Sequence, residues 1–478
     1  MMMNAQFQNQ LIEKPKLNNF MIEKIKDLES LKNEEKANFE KQLKEKTVQI
    51  SQNKDNINQK QNSLIRFMPN QKTNYIDRDK QSQNQGQSQI KNHNSLPSEK
   101  SPLKYYKEPT LIGLNNIGAT CFMNSTLQCL SQILSLSNYF LKYSTYKMIM
   151  EKNIAKQNKN LPQLSFAYHQ LIKALWNKNE KVSSFSPFYF MKTVEKMNPL
   201  FKKEKAGDPK DFINFFLEQI HKELKMPVNT QNQTIAQPLN NYDRKNAYQH
   251  FMNDFNKECS IISYLFFGIT ETTNICLFCK DFYCRKEMNY PIFYNYEIFN
   301  LLIFPLEEVK NFRNNNCANF NAQSNVNNIV TLYDCFFYNQ ATRMFTGDNK
   351  NYCSICKKKS DSLYTKTILE SPKIFILILD RGKDNKYDIK LDFTEVLNLT
   401  QFILIQDLPK MIYILKGVIA YYGQSGTNAH FIAFCKSPIN NKWYKYNDAF
   451  VIPVTDIKME FINVGTPYIL FYEKSNYV

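Results

Sequence analysis

Hydrophobic and polar positions divide the chain near residue 105. Residues 1–105 are rich in Asn, Gln, Lys and Ser and poor in large apolar side chains. Such a segment cannot bury enough apolar surface to offset its chain entropy, so it is expected to be a disordered tail. Inside it, residues 21–50 carry Ile25, Leu28, Leu31, Phe39 and Leu43 among charges. That spacing is too irregular for a sustained coiled coil and reads as a helix that needs a partner. From about Pro109 the apolar positions become frequent and periodic. Met123, Leu127, Leu130 and Leu134 share one helical face. Helical segments continue to about Leu224, among them 164–176 and a helix capped by Asp208 with Pro209 at its first position. An Asn/Gln-rich loop at 226–242 and a helix near 248–257 follow.

Beyond Ser260 the period shortens toward strands. SIISYLFFGITETTNI, KIFILIL and HFIAFCK read as strands, TLYDCFFY as a short helix and the Asn-rich residues 314–328 as a loop. WYKYNDAFV reads as one strand returning from the SPINN turn at 437–441. Helices first and strands second predict an α+β body over residues 106–478 behind the 1–105 tail.

The chemistry begins where loop becomes helix. GLNNIGAT, residues 113–120, is glycine-bearing loop, and Cys121 opens the helix that follows. Free N–H groups and partial positive charge in a first helical turn favour thiolate over thiol. Thr120 is placed to cap the helix, Gly118 lets backbone approach a bound carbonyl, and the Asn116 amide is placed to donate to an oxyanion.

A nucleophile needs a base. Of five histidines, His93 lies in the tail, and His169, His221 and His250 lie in helical segments. His430 begins a strand beside a turn and a polar returning strand. The midpoint between His430 and Asn447 falls in that turn, so a hairpin there sets Asn447 directly across from His430. Asp448 then points to the opposite face, because strand side chains alternate. Cys121, His430 and Asn447 together make the Cys-His-Asn version of a nucleophilic triad.

Composition narrows the setting. The formal net charge is +17, but lysines are spread through tail and body alike, so no nucleic-acid partner is expected. The N-terminal MMMNAQFQNQ lacks the apolar core of a signal peptide, and no apolar run is long enough to span a bilayer. The eleven cysteines are an odd number, and four of them form two CxxC pairs. A reducing compartment, cytoplasmic or nuclear, and no membrane association are the expectations. Cys276–Cys279 and Cys353–Cys356 suit a tetrahedral Zn²⁺ site, with Cys284, Cys317 and Cys335 as substitutes less favoured by spacing. The zinc is expected to be structural, and catalysis to need no cofactor.

With both boxes in view, the chain resembles the ubiquitin-specific proteases, papain-like cysteine deubiquitinases. GLNNIGATCFMNSTLQCL is similar to the family's cysteine box almost position for position. The histidine box differs slightly, with Ala429-His430-Phe431 where the family has Gly-His-Tyr. WYKYND and PYILFYEK are close to family form, and DPKDF, SIISYLFFG, the CxxC pairs and LDFTEVLNL follow family order. The resemblance covers about residues 109–475. It implies a helical thumb carrying Cys121, a β-rich palm carrying His430 and Asn447, and zinc-bearing β fingers. It implies thiol-dependent hydrolysis of the amide or isopeptide bond after the C-terminal glycine of ubiquitin, with ubiquitin and ubiquitinated proteins as partners. It implies Asn116 in the oxyanion hole, Asp448 as an assisting polar residue, and Asp208 and Asp211 as contacts for the basic ubiquitin tail. Asp211 stands where the family usually has Glu. The rival expectation is a ubiquitin-binding pseudoenzyme, supported only by Ala429 and Phe431.

Overall fold

The computed structural model describes residues 106–475, apart from 107, 109, 156–162, 178–181, 203, 228–237, 256–257, 318–328, 383–388, 424–429 and 464. The 1–105 tail and its expected helix lie outside the described residues.

The helix opened by Cys121 runs Cys121–Ser131, and every one of its residues is buried. Several of its polar side chains are matched by backbone carbonyls. Thr126 Oγ1 and Ser125 Oγ donate to the Phe122 carbonyl, and Gln128 Nε2 donates to that of Ile112 at 3.0 Å. The apolar stripe does not carry one helix through to Leu134. The chain turns at Gln132, Ile133 is extended, and a second helix runs Leu134–Leu141. The reason is competition for the Ser131 carbonyl, which accepts from Ser137 Oγ at 2.6 Å and Trp176 Nε1 at 3.1 Å. Helices Leu164–Leu175, Phe188–Met197 and Pro209–Leu224 complete the helical half around an aromatic core that includes Phe122, Tyr168, Phe212 and Phe216.

Against this half lies an eight-stranded sheet. Seven strands run in the spatial order Phe450–Val454, Trp443–Asn447, His430–Lys436, Ile412–Tyr422, Thr466–Lys474, Ile374–Asp380 and Leu302–Pro305. Val396–Asn398 pairs with Ile412–Tyr422 off this path. All of these pairings are antiparallel except the last, Ile374–Asp380 with Leu302–Pro305. Both faces are buried, and the period of two sorts the side chains. On the histidine strand Ala433 and Cys435 join the core shared with the cysteine helix, while Ile432 and Phe434 join a second core behind the sheet. Cys435 Sγ lies 3.7 Å from Cys129 Sγ, so helix and strand meet closely. Gly417 gives them room, because a Cβ there would lie 3.1 Å from Cys129 Sγ.

A separate four-stranded antiparallel sheet runs in the order Phe293–Phe299, Gly268–Cys276, Ser362–Glu370 and Arg343–Phe345; the first CxxC pair begins at its strand end Cys276, and the second lies on the two-stranded hairpin of Asn351–Cys353 with Lys358–Ser360. Residues 261–266, expected as strand, form a short helix. Ser260 Oγ accepts from the N–H groups of Ile262 and Ser263, and Ser263 Oγ answers the Ser260 N–H. This reciprocal cap outweighs the strand preference of the apolar run. The helix expected at TLYDCFFY forms over Leu332–Asn339, capped in the same way by Thr331 and Asp334. The expected loop at 314–328 begins later than its Asn content suggested, since the Leu306–Cys317 helix includes residues 314–317. Among the described residues, no helix is long and apolar enough to cross a membrane.

Candidate active site and metal centre

The loop before Cys121 is held from both sides. Gly113 and Asn115 donate their N–H groups to Ser183 and Phe185, and the Leu114 N–H donates to the Asp448 carbonyl at 2.8 Å. A Cβ on Gly113 would lie 2.2 Å from the Ala449 carbonyl oxygen. Only glycine lets the cysteine loop and the histidine hairpin touch there. Gly118 has φ +152°, also a glycine conformation. Thr120 occupies the helix N-cap position, but its side chain does not cap. Its hydroxyl instead accepts from the Ile117 N–H and donates to Asn116 Oδ1. Asn116 Oδ1 also accepts from the N–H groups of Gly118 and Thr120, at 3.3 and 3.2 Å. The asparagine thus folds the loop around its own carbonyl and leaves its NH₂ end outward. Cys121 is 8% exposed and so lies largely out of solvent.

His430 begins its strand, and its Nε2 lies 2.7 Å from Asn447 Oδ1. An amide oxygen can only accept, so Nε2 carries hydrogen and Nδ1 is left for the sulfur. The imidazole is pushed up to about 9. The hydrogen bond with Cys121 is the largest cause, burial opposes it, and Asn447, the Cys121 charge and the Asp448 charge add to it. The structure thus brings Cys121, His430 and Asn447 together. The expected register is corrected by two residues. Ala433 pairs with Tyr446, so Asn447 falls across from Ile432 and meets His430 on the diagonal. A shift of two keeps the side chain on its face, so the contact survives the error.

The placing of Asp448 on the opposite face is also corrected. The expected single strand breaks after Asn447, and Asp448 takes φ +48° in the tight turn to Phe450–Val454. That left-handed backbone swings the carboxylate back into the site. Oδ2 lies 3.0 Å from Asn116 Nδ2 and 3.8 Å from His430 Nε2. The other described histidines are engaged elsewhere. His169 Nδ1 lies 2.7 Å from the Phe140 carbonyl, and His221 Nδ1 lies 2.7 Å from Ser260 Oγ.

Asp208 caps the Pro209–Leu224 helix by accepting from the Lys210 N–H at 2.7 Å. It also accepts from the Tyr468 hydroxyl at 2.7 and 2.9 Å, and burial raises its carboxyl above the ordinary range. Asp211 is exposed one turn into the same helix.

Cys276, Cys279, Cys353 and Cys356 hold their sulfurs within 4.8 Å of one another. Two of the separations are 3.8 Å (Cys276–Cys356) and 3.7 Å (Cys279–Cys353). Thiolates bonded at about 2.3 Å to one tetrahedral ion stand about 3.8 Å apart, so the four residues fit a single metal ion. Of the substitutes, Cys284 is exposed and Cys335 lies in the core behind the large sheet, both outside the cluster, while the Cys317 side chain is not among those described.

Sequence reasoning missed Asn124 and Gly113. Asn124 Nδ2 lies 2.8 Å from Asp448 Oδ1. Its signal was a polar residue in a wholly buried helix, three places past Cys121. The role of Gly113 has no local signal, because its constraint comes from Ala449.

Residues 112–472 match the family model described as "Ubiquitin carboxyl-terminal hydrolase". Among curated proteins, "Ubiquitin carboxyl-terminal hydrolase 2" of Bos taurus is 25% identical over 401 residues, covering 81% of this chain and 59% of that protein. "Ubiquitin carboxyl-terminal hydrolase 21" of Homo sapiens is 25% identical over 386 residues, covering 76% and 61%. The chain therefore spans about three-fifths of the length of these relatives. Among solved structures, the chain shares its fold with one from "Structure of the SAGA Ubp8/Sgf11/Sus1/Sgf73 DUB module bound to ubiquitin aldehyde". There the TM-score is 0.51 at 21% identity, covering 77% of this chain and 70% of that one.

Proposed function

The chain belongs to the ubiquitin carboxyl-terminal hydrolase family, in its ubiquitin-specific protease branch, and from that membership and the cysteine–histidine geometry we propose that it is a thiol-dependent deubiquitinase. It hydrolyses the amide or isopeptide bond after the C-terminal glycine of ubiquitin, and its partners are ubiquitin and ubiquitinated proteins. The observation that carries this reading is His430 Nε2 held at 2.7 Å by Asn447 Oδ1, with Cys121 the largest influence that raises the imidazole's pKa.

In this mechanism His430 Nδ1 takes the Cys121 proton, and the raised pKa of the imidazole, about 9, favours the imidazolium that results. The thiolate attacks the scissile carbonyl carbon. The oxyanion forms against the Asn116 NH₂ group and the Cys121 N–H at the opening of the helix, since the Met123 and Asn124 N–H groups already donate to the Thr120 carbonyl. The C–N bond then breaks, and the departing lysine amine takes the Nδ1 proton. Neutral His430 next removes a proton from water. The resulting hydroxide attacks the thioester, and Cys121 leaves as thiolate. Asn447 fixes the tautomer throughout and stays neutral.

Asp208 and Asp211 mark where the basic tail of ubiquitin enters. Asp208 is already satisfied by Lys210 and Tyr468, so it anchors the entrance, and exposed Asp211 offers the freer charge. The cysteine cluster suits Zn²⁺, whose role there would be structural, tying the two CxxC turns together. Cys276, Cys279, Cys353 and Cys356 would hold it. The pseudoenzyme alternative rests only on Ala429 and Phe431, and no further observation favours it.

Ubiquitin carrying a C-terminal coumarin amide tests the reading. We expect turnover by the parent protein and none by Cys121→Ala, with ubiquitin binding retained. No Cys121-dependent release of the fluorophore would overturn it.

A further inference from the structure

Asn124 is 2% exposed, and its NH₂ group faces only acceptors. These are Asp448 Oδ1 at 2.8 Å, the Leu114 carbonyl at 3.2 Å and the Asn115 carbonyl at 3.3 Å. Three acceptors around one nitrogen determine which way the amide points. Its Oδ1 is buried with no hydrogen-bond partner among the described residues. A side chain that leaves an acceptor unmade in a buried helix is retained for what its other end does. That end grips a residue with a costly backbone. Asp448 is a non-glycine residue at φ +48°, held in that turn by the Leu114 N–H on its carbonyl and by Asn124 on its carboxylate.

The two Asp448 oxygens divide their work. Oδ1 accepts from buried Asn124 and Oδ2 from exposed Asn116, whose own Oδ1 is occupied by the loop. An Asn116 NH₂ group has two hydrogens, and Asp448 engages one of them. Without its inner anchor the carboxylate is free to rotate, and the Asn116 amide rotates with it.

Building on the deubiquitinase reading, we propose that Asn124 is a positioning residue: it clamps Asp448 so that the outer carboxylate oxygen aims the Asn116 amide at the developing oxyanion. Asn124 itself touches neither substrate nor sulfur. The clamp ties the nucleophile's helix to the turn after the Asn447 strand. Loop, helix and hairpin therefore hold one geometry before substrate arrives, which is what electrostatic stabilisation of a transition state requires.

The test is a double-mutant cycle on the full-length protein with ubiquitin–coumarin amide. It uses Asn124→Ala, Asp448→Ala and both together, with kcat and KM measured separately. Asn124→Ala should lower kcat about tenfold or more with KM within about twofold of the parent. On the Asp448→Ala background the same change should cost less than about threefold, because the route through Asp448 is already gone. Asn124→Ser, whose hydroxyl stays in the pocket but falls short of Asp448, replaces Asn124→Ala if the latter does not fold, and thermal midpoints accompany every variant. Fully additive losses, or a loss confined to KM or to thermal stability, would overturn the assignment to Asn124 alone. A parent protein inactive on ubiquitin–coumarin amide would overturn the deubiquitinase reading and the role given to Asn124 with it.

Discussion

Two cysteine sites in this molecule solve different problems. At the finger, four sulfurs surround one point, and each CxxC turn supplies a pair of them from residues three apart. Only one long-range event is needed. Strand Ser362–Glu370 pairs with Gly268–Cys276, setting Ser362 opposite Cys276, and the Leu277 N–H donates to the Asp361 carbonyl. At the seam between helices and large sheet, a single sulfur faces His430, whose imidazole is held by Asn447 at the end of another strand, while Asp448 beside it engages Asn116 in the loop. A metal ion attracts ligands from every direction, so a cluster of thiolates tolerates small errors of position. An imidazole must present one nitrogen to sulfur and the other to an amide oxygen, so its geometry is directional. Where bonding is directional, the molecule spends more of its structure on support. Gly113 against Ala449, the Leu114–Asp448 hydrogen bond and buried Asn124 all serve the seam.

The sharpest way to break this comparison is at the two sets of sulfurs. Cys121→Ala should lower turnover of ubiquitin–coumarin amide by about 10⁴-fold or more, leaving the fold and ubiquitin affinity intact by calorimetry. Next in size, Asn447→Ala should cost about 10²-fold in kcat, and Asp448→Ala less, because only Asn447 is within hydrogen-bond reach of the imidazole. A larger loss from Asp448→Ala would shift the weight of the seam from the histidine to the oxyanion side. Cys353→Ser should act on the other site. We expect metal content to fall below one equivalent, thermal stability to drop, and KM for ubiquitin to rise about tenfold with kcat nearly unchanged. Equal loss of kcat would mean that finger and seam are mechanically coupled.

The smallest effect is read by pH. The folded-state pKa of His430, about 9, stands above the ordinary value of 6.5. The group's contribution to stability is therefore fully present below about pH 6.5 and is lost as pH rises through about 9. His430→Gln should erase that dependence, so the two thermal midpoints should converge between pH 6.5 and 9.5. The alkaline limb of kcat/KM in the parent protein should fall near pH 9. A flat alkaline profile would sink the ion-pair form of the mechanism.

Much of this was legible in sequence because it rests on local physics. Helix periodicity placed Cys121 at a helix start, and Asp208 with Pro209 marked a capped helix that forms at Pro209–Leu224. The CxxC spacing named all four cluster sulfurs. The turn at residues 437–441 brought His430 and Asn447 to one face, and a register error of two left that face unchanged. What tertiary structure alone decided were the places where a local preference met a distant partner. Thr120 turns from capping toward Asn116, Ser131 gives its carbonyl to Trp176 and Ser137 instead of a longer helix, and Asp448 adopts a left-handed turn that returns it to the site. Propensity and periodicity act over a few residues, whereas these choices depend on hydrogen-bond partners supplied from elsewhere in the fold. Sequence order therefore named the groups that gather at the seam, and only the packed seam determined how each is held.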